Sequence, residues 1–279
     1  MRQYRNIVFE GACNISCLYC EPKEAHVNQK IVINSIRDIF RSFEGKHVSF
    51  RLECDGEITL YPEIINYLNE SVLQYGFPIE VISNGVVAKQ YVKTLKNLRW
   101  VFSLDGHTEK MCVKRGLKQA EIEDILESIL MSDAEIQLVY HGQPIEEVNE
   151  FIRLLEQRGY NGFLHIFPEM SIRDGSVLLA LDYRRLYKAN FLPKPDFFER
   201  WEYIYEHKKR NFVCDQLTNG YTYQIDQKGN IELVKCDSIS SKGYTCSFEM
   251  GEIEFDDFPC KTCICHLEYN NSRAIVKSL

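Results

Sequence analysis

The 279-residue sequence has no apolar run that approaches the length needed to cross a membrane. Its first residues lead into a strand-like segment without the apolar core of a secretory signal peptide. A basic excess is also missing, because 33 lysines and arginines face 40 aspartates and glutamates, for a formal charge of −7. These absences argue against a membrane protein and a general nucleic-acid binder, so we expect neither a membrane nor a nucleic acid as partner.

Low-complexity segments and internal repeats beyond a strand–helix unit are absent as well. A hydrophobic share of 45% and an aromatic share of 12% are typical of a globular chain, with length enough for a large domain and a smaller appendage. Cysteine, in contrast, is abundant, with 11 residues. Without a secretory signal these cysteines favour thiolate ligands over disulfides, and we expect a reducing, cytoplasmic setting.

Three cysteines stand close together near the start of the chain. Cys13, Cys17 and Cys20 are spaced C-x-x-x-C-x-x-C, directly after a strand-like run at Ile7–Glu10. Three thiolates on one loop can hold a 4Fe–4S cluster and leave one iron open for an outside ligand, much as catalytic zinc keeps an open position. Zinc with a fourth ligand such as His26, or ordinary reduced thiols, are alternatives that this spacing disfavours.

This loop resembles the signature of the radical S-adenosylmethionine enzymes, including the aromatic Tyr19 before the third cysteine. The resemblance implies that Cys13, Cys17 and Cys20 hold a 4Fe–4S cluster whose open iron is chelated by S-adenosylmethionine, with Tyr19 near the adenine. It further implies an electron donor such as flavodoxin or ferredoxin. One electron then cleaves the S-adenosylmethionine, and the resulting 5′-deoxyadenosyl radical removes a hydrogen atom from an unactivated C–H bond.

Short apolar strands alternate with amphipathic helical patterns through the first two thirds of the chain. Strands are predicted at Ile7–Glu10, Val48–Glu53, Ile79–Ser83, Trp100–Leu104, Ile136–Tyr140 and Phe163–Phe167. Helices are predicted at about Ile31–Phe43, Pro62–Tyr75, Ala88–Leu98, Ala120–Met131 and Ile145–Arg158.

This alternation predicts an α/β fold with a parallel sheet and right-handed crossovers. The pattern itself allows an open doubly wound sheet or a partial barrel, and the family resemblance favours a six-stranded partial (β/α) barrel. We expect the barrel domain in residues 1–170, a helical bridge in 171–210, and a small Cys-rich domain with a β-hairpin in 211–279. Active residues should lie at the carboxyl ends of the strands, where the loops converge.

The second strand ends in Glu-Cys-Asp-Gly-Glu, which resembles the family's Gly-Gly-Glu-Pro stretch. The resemblance implies that Gly56 and Glu57 receive the ammonium group of S-adenosylmethionine, since glycine permits a close backbone approach and glutamate supplies an acceptor. Asp55 and Ile58 depart from the pattern, which has glycine and proline there. These departures affect the expected path of the local backbone more than the expected role of Glu57.

Polar residues also follow the third and fourth strands. Ile-Ser-Asn-Gly resembles the family's Thr-Asn-Gly stretch. Ser-Leu-Asp-Gly, with Lys-Arg-Gly further on, resembles a stretch that is common in family members with extra clusters. Ser83, Asn84, Ser103 and Asp105 could therefore bind the ribose or carboxylate of S-adenosylmethionine, or the substrate, and Arg115 could clamp a carboxylate. Turn and helix-cap roles are equally open for each of them.

His141 follows the fifth strand and Glu169 the sixth, so both are candidate acid–base groups at the same mouth. A hydrogen-bonded loop histidine and a solvated loop carboxylate are the simpler interpretations, and the second is favoured for Glu169. Cys54 and Cys112 are interpreted as small buried residues rather than ligands.

Six further cysteines lie in the last quarter of the chain, around a predicted hairpin that turns at residues 228–230. The layout resembles the shorter auxiliary-cluster extension, the Twitch type of the SPASM/Twitch class, and implies an auxiliary iron–sulfur cluster, expected to be 4Fe–4S. The preferred ligands are Cys214, Cys236, Cys260 and Cys263. Cys265 competes for the last place, and a structural zinc ribbon is the alternative.

Cys246 and Cys265 are then left over as candidate catalytic thiols. A thiol near the mouth could return a hydrogen atom to the opposite face of a substrate radical, which is epimerisation. If both thiols are distant, the auxiliary cluster could accept an electron instead, which gives dehydrogenation.

The sequence therefore predicts an enzyme of the epimerase or oxidoreductase type that acts on a small polar molecule such as a sugar or aminocyclitol. The alternative is a maturase that modifies a ribosomally made peptide, with a short peptide as partner. We expect no room for a peptide-recognition domain before the first strand. A non-catalytic zinc or cluster module and an RNA-modifying enzyme are further competitors. The basic run at 207–210 is too brief to support the latter.

Overall fold

The computed structural model describes residues 3–20, 27–169, 178–207 and 222–234. The strands in these ranges are β1 (Gln3–Phe9), β2 (Val48–Cys54), β3 (Ile79–Ser83), β4 (Arg99–Ser103), β5 (Glu135–Tyr140), β6 (Leu164–Pro168), β7 (Thr222–Ile225) and β8 (Ile231–Val234). The α-helices are α1 (Gln29–Ser42), α2 (Pro62–Tyr75), α3 (Lys89–Thr94), α4 (Gln119–Ser132), α5 (Ile145–Gln157) and α6 (Pro195–His207). Short 3₁₀ turns cover Ile58–Leu60, Val113–Arg115 and Tyr183–Arg185.

The described strands form one sheet in the order β6-β5-β4-β3-β2-β1-β7-β8. Strands β1 to β6 are parallel to their neighbours, β7 is parallel to β1, and β8 is antiparallel to β7. Because β1 to β6 follow one another in chain order, right-handed crossovers place their helices on one face of the sheet. This order confirms the α/β class and fits the partial barrel, since a doubly wound sheet reverses its strand order.

The outer face of the sheet packs against the helices. Phe50 and Leu52 of β2 are fully buried in the same core as Ile36 and Phe40 of α1. Phe40 and Phe50 meet with ring centroids 4.7 Å apart. Fully burying each such side chain contributes about 1.5–3 kcal/mol, so this layer fixes where the strand ends lie.

The inner, concave face carries polar side chains at the alternate positions. Arg51 is buried and donates from Nε and Nη2 to Glu80 Oε2 at 3.1 and 3.0 Å. His165 Nε2 lies 2.7 Å from Glu135 Oε2. Charges withdrawn from water need such partners, because an unpaired buried charge is costly.

The helix and strand predictions are confirmed apart from their boundaries. Strand β1 begins at Gln3 because its polar first half pairs in register with β2. Helix α3 ends at Thr94, earlier than predicted, and the following Asn97 donates from its backbone nitrogen to Asn69 Oδ1 at 3.2 Å. The predicted hairpin is present as β7 and β8, and β7 extends the barrel sheet beside β1.

The predicted helical bridge contains α6 and the short 3₁₀ turn that precedes it. Phe197 of α6 packs edge-on against Phe167 of β6, with ring centroids 5.9 Å apart. In the part of the chain that the structure describes, no helix is both long and apolar enough to cross a lipid bilayer.

Candidate active site

A cavity of about 200 Å³ opens at the carboxyl ends of β1 to β4. This is the edge at which the sequence predicts active residues. The structure brings many of the predicted site residues together around it: Cys13, Cys17, Cys20, Gly56, Glu57, Ser83, Asn84, Ser103 and Arg115.

The three thiols of the loop that follows β1, called the cysteine loop below, face this cavity. Cys13 and Cys20 are exposed, Cys17 is half-buried, and none of the three forms a disulfide. A hydrogen bond between the two thiols lowers the pKa of Cys20 to about 7 and raises that of Cys17. Three convergent soft donors beside one cavity fit an iron–sulfur cluster with one open iron.

Within the described ranges, no three His, Cys, Asp or Glu side chains converge as ligands of a single metal ion. A cluster makes a different demand on its protein, because each thiolate binds a separate iron and the ligands surround a volume rather than a point.

The cysteine loop is held against the end of β2 by backbone contacts. Ala12 donates from its nitrogen to the Tyr61 hydroxyl at 2.6 Å, and its carbonyl accepts from the Glu57 nitrogen at 2.8 Å. A Cβ atom on Gly56 would lie 2.1 Å from the Ala12 carbonyl oxygen, a distance that only glycine can avoid. Gly56 therefore allows the loop to dock.

Glu57 connects the ends of β2 and β3. Its side chain is 1% exposed, and Oε1 accepts from the Thr59 nitrogen (2.9 Å), the Thr59 hydroxyl (2.5 Å) and the Ser83 hydroxyl (2.8 Å). Oε2 accepts from the Asn84 nitrogen at 2.6 Å. Burial raises the pKa of Glu57 although these hydrogen bonds oppose the rise. Since a carboxylate has about four lone-pair sites, one acceptor position on Oε2 is not taken by a donor in the described ranges.

Asn84 links β3 to the cysteine loop. Its Nδ2 donates to Asn14 Oδ1 at 2.7 Å and lies 3.7 Å from Cys13 Sγ, while its Oδ1 accepts from the Val86 nitrogen at 3.1 Å. This side chain therefore positions the loop, a role that sequence reasoning missed together with Asn14. The position of Asn14 between two predicted ligands is the only signal for it in the sequence.

The buried side chains of Asp105 and Arg115 form a network with the half-buried Tyr19, between β4 and the cysteine loop. Asp105 accepts from the Tyr19 hydroxyl at 2.7 Å and from the Val139 nitrogen at 3.0 Å, and Arg115 Nε lies 3.0 Å from Asp105 Oδ1. The guanidinium carbon lies 5.3 Å from the centroid of the Tyr19 ring. Burial acts to lower the pKa of Arg115, but the charge of Asp105 outweighs it and raises that pKa.

Glu169 is buried with 9% exposure, so the interpretation as a solvated loop carboxylate is wrong. Both of its oxygens accept from Lys114 Nζ, at 2.5 and 2.6 Å. The Lys114 carbonyl in turn accepts from the Leu18 nitrogen of the cysteine loop at 2.7 Å. Lys114, which the sequence analysis did not single out, thus connects the end of β6 to the loop.

His141 does not line the cavity. Its Nε2 lies 3.0 Å from the Met111 carbonyl oxygen, and its backbone nitrogen donates to Gln143 Oε1 at 2.8 Å. These contacts match a hydrogen-bonded loop histidine.

The two cysteines interpreted as non-ligands differ in position. Cys112 is buried, with Sγ 3.5 Å from the Gly106 carbonyl oxygen. Cys54 is half-buried at the cavity wall, where its Sγ accepts from the Gly56 nitrogen at 3.3 Å. Burial raises the pKa of both thiols.

The remaining predicted site residues lie outside the described ranges: Cys214, Cys236, Cys246, Cys260, Cys263 and Cys265.

Comparison with known proteins gives a relative over nearly the full length of the chain. No family model matches the chain. The chain is 48% identical over 274 residues to neomycin C epimerase of Streptomyces fradiae, covering 98% of this chain and 91% of that protein.

Among solved structures, the fold is similar to SuiB of Streptococcus suis. The structure bound to precursor peptide SuiA aligns with a TM-score of 0.59 at 16% identity. The alignment covers 88% of this chain and 62% of the SuiB chain. The structure bound to S-adenosylmethionine aligns with a TM-score of 0.59 at 17% identity. The alignment covers 85% of this chain and 58% of the SuiB chain. The chain therefore spans about 60% of SuiB, and at this identity the similarity concerns the fold alone. With a cysteine loop, a partial-barrel sheet and a near full-length relative in agreement, the chain belongs to the radical S-adenosylmethionine enzymes.

Proposed function

We propose that this enzyme is an epimerase that inverts one C–H stereocentre of an aminoglycoside. The observation that supports this most strongly is the 48% identity to neomycin C epimerase over 98% of the chain. The formal charge of −7 agrees with a substrate that carries several ammonium groups at neutral pH, because an acidic protein attracts cations.

Cys13, Cys17 and Cys20 would hold the 4Fe–4S cluster, and the docked cysteine loop would keep them at the cavity. When bound, the cluster supplies one electron to S-adenosylmethionine, whose cleavage provides the hydrogen-abstracting 5′-deoxyadenosyl radical. The protein's task at this stage is to position the donor and the substrate beside each other and to exclude competing hydrogen donors.

Arg115 would bind the carboxylate of S-adenosylmethionine. It lines the cavity and its Nε is committed to Asp105, while no described side chain pairs with its two terminal nitrogens. A guanidinium presents such nitrogens in a fork that matches a carboxylate. Glu57 Oε2 would accept from the ammonium group at its remaining position, and Tyr19 would lie near the adenine.

The substrate radical would take its new hydrogen atom from the thiol of Cys246 or Cys265, on the face opposite the first abstraction. The S–H bond breaks, the C–H bond forms, and the sulfur radical is restored by one electron and one proton. A flavodoxin- or ferredoxin-type donor would supply that electron, and Cys214, Cys236, Cys260 and Cys263 would hold an auxiliary iron–sulfur cluster able to carry electrons.

Anaerobically reconstituted enzyme, reduced in D₂O with S-adenosylmethionine and neomycin C, tests the proposal. An epimerase forms 5′-deoxyadenosine and incorporates one deuterium at the inverted carbon, since thiol hydrogens exchange with solvent. A product lighter by two hydrogens shows a dehydrogenase. An unchanged substrate refutes the proposal for this aminoglycoside.

The thiol donor is tested by Cys246→Ala and Cys265→Ala. Loss of epimerised product in one variant, with 5′-deoxyadenosine still formed, identifies the donor. Cys112→Ala is the matched control, because that thiol is buried beside Gly106 and outside the cavity lining. If both donor variants turn over normally, the thiol step is refuted.

Peptide modification is the less supported alternative, since the likeness to a peptide-bound SuiB concerns the fold alone.

A further inference from the structure

Beyond the cavity, the concave face of the sheet continues across β4, β5 and β6. Ser103, Gln137 and His165 are register partners on these neighbouring strands. Ile136 and Leu138 are fully buried in the core on the outer face, so alternation places Gln137 on the concave face. Since Ser103 lines the cavity, Gln137 lies one strand away from the cofactor region.

The amide nitrogen of Gln137 is buried there without a partner among the described residues. The residue is 8% exposed, and in the described part of the chain its Nε2 has no hydrogen-bond acceptor. Folded proteins rarely bury an amide donor without a partner, because losing its hydrogen bonds to water is costly.

Two ionisable pairs lie on the same face as Gln137. Arg51 is bonded to Glu80, and His165 lies within hydrogen-bond distance of Glu135. A buried polar group without a partner calls for an explanation, and on this face Asn6 Oδ1, beside Arg51, is another such group in the described ranges. A ligand that brings its own acceptor is such an explanation.

We propose that Gln137 Nε2 donates a hydrogen bond to a hydroxyl oxygen of the amino-sugar substrate, an inference that rests on the proposed function. A hydroxyl oxygen can accept this bond, whereas an ammonium group has no lone pair to offer. Gln137 thereby selects a hydroxyl over an amine at one substrate position. A site built to bond a substrate hydroxyl discriminates strongly against an analogue that lacks it.

The position also fits the reaction. A sugar bonded to Gln137 lies beside Ser103 and hence next to the proposed S-adenosylmethionine site, where hydrogen abstraction requires it. Val139, two residues further along β5 on the same face, is only half-buried, so the face opens toward the mouth.

Gln137→Met tests the inference, because methionine has a similar length and no donor. Anaerobic holoenzyme with S-adenosylmethionine is titrated with neomycin C by calorimetry. We expect the dissociation constant to rise about tenfold through the lost hydrogen bond. KM should rise with it, and 5′-deoxyadenosine formation without substrate should not change. The thermal midpoint should stay equal or rise, because an apolar side chain replaces a buried unpaired amide.

Gln137→Glu and Trp100→Phe complete the design. Gln137→Glu removes the N–H donor, so this variant should also bind neomycin C at least tenfold more weakly. Tighter binding by this variant would show that the position accepts from an ammonium group and would overturn the donor assignment. Trp100 stacks on Phe102 in the core on the outer face, so Trp100→Phe should leave substrate affinity unchanged.

The outcomes separate this inference from the proposed function. Equal affinity of wild type and Gln137→Met, with a lower thermal midpoint in the variant, makes Gln137 a structural residue and overturns the inference alone. Failure of the wild-type enzyme to bind neomycin C overturns the proposed function for this substrate, and the inference falls with it.

Discussion

Replacing Asp105 by Asn should destabilise the protein far more than the loss of one hydrogen bond. Asparagine has the same shape: its Oδ1 can accept from the Val139 nitrogen, and its Nδ2 can donate to the Tyr19 hydroxyl oxygen. What disappears is the negative charge 3.0 Å from Arg115 Nε. The substitution therefore isolates the effect of the charge.

The expected magnitude follows from burial. Arg115 is 6% exposed and Asp105 is fully buried. Removing one partner of a buried ion pair typically costs about 3–5 kcal/mol, because the other charge remains desolvated. For a chain of this size, 1 kcal/mol corresponds to roughly 2–4 °C in the unfolding midpoint. We thus expect the midpoint to fall by at least about 6 °C.

The assay is anaerobic thermal unfolding at one scan rate, with the iron content of each variant determined in parallel. Tyr19→Phe is the matched control, because it removes a hydrogen bond to the same carboxylate and leaves both charges; we expect a loss of about 2 kcal/mol.

A double variant decides whether charge is the cause. Arg115→Met in the Asp105→Asn background removes the cation that has lost its partner. The double variant should therefore lose about 2 kcal/mol less stability than the sum of the two single variants. If the two losses simply add, or if Asp105→Asn costs no more than Tyr19→Phe, the reasoning from a desolvated ion pair is refuted.

Three further predictions concern other parts of the site. Gly56→Ala should lower the iron content after reconstitution severalfold, because its methyl group would collide with the docked cysteine loop; normal iron loading would contradict this. Glu169→Gln should cost about 1 kcal/mol of stability, because the Lys114 end of this ion pair is partly exposed to solvent; a loss above about 3 kcal/mol would contradict this. Burial acts to raise the pKa of Glu135, but the hydrogen bond from His165 outweighs this effect. The pKa of Glu135 therefore lies below its usual 4.5. Its stabilisation is therefore complete above pH 4.5 and lost as the pH falls through the lowered pKa. In urea titrations, Glu135→Gln should unfold more easily than wild type at pH 7, and the difference should shrink as the pH falls through the lowered pKa of Glu135.

The sequence determined the fold class and the location of the site. Period-2 and period-3.6 patterns gave the strands and helices, because burial against one helix layer requires those spacings. The spacing of Cys13, Cys17 and Cys20 identified the cysteine loop, because the geometry of a cluster is local in the chain. Gly56 was singled out from sequence for a close approach to S-adenosylmethionine, and the structure adds a close approach that the sequence did not predict, to the Ala12 carbonyl of the cysteine loop.

Only the tertiary structure decided what the polar residues contact. Glu57 is almost fully committed to Thr59, Ser83 and Asn84, and Glu169 is paired with Lys114. These partners stand up to 55 positions apart, and nothing in a linear pattern encodes which donor reaches which acceptor. Gln137 escaped notice for the same reason: an amide in a strand becomes informative only when the folded sheet shows it buried and unpaired.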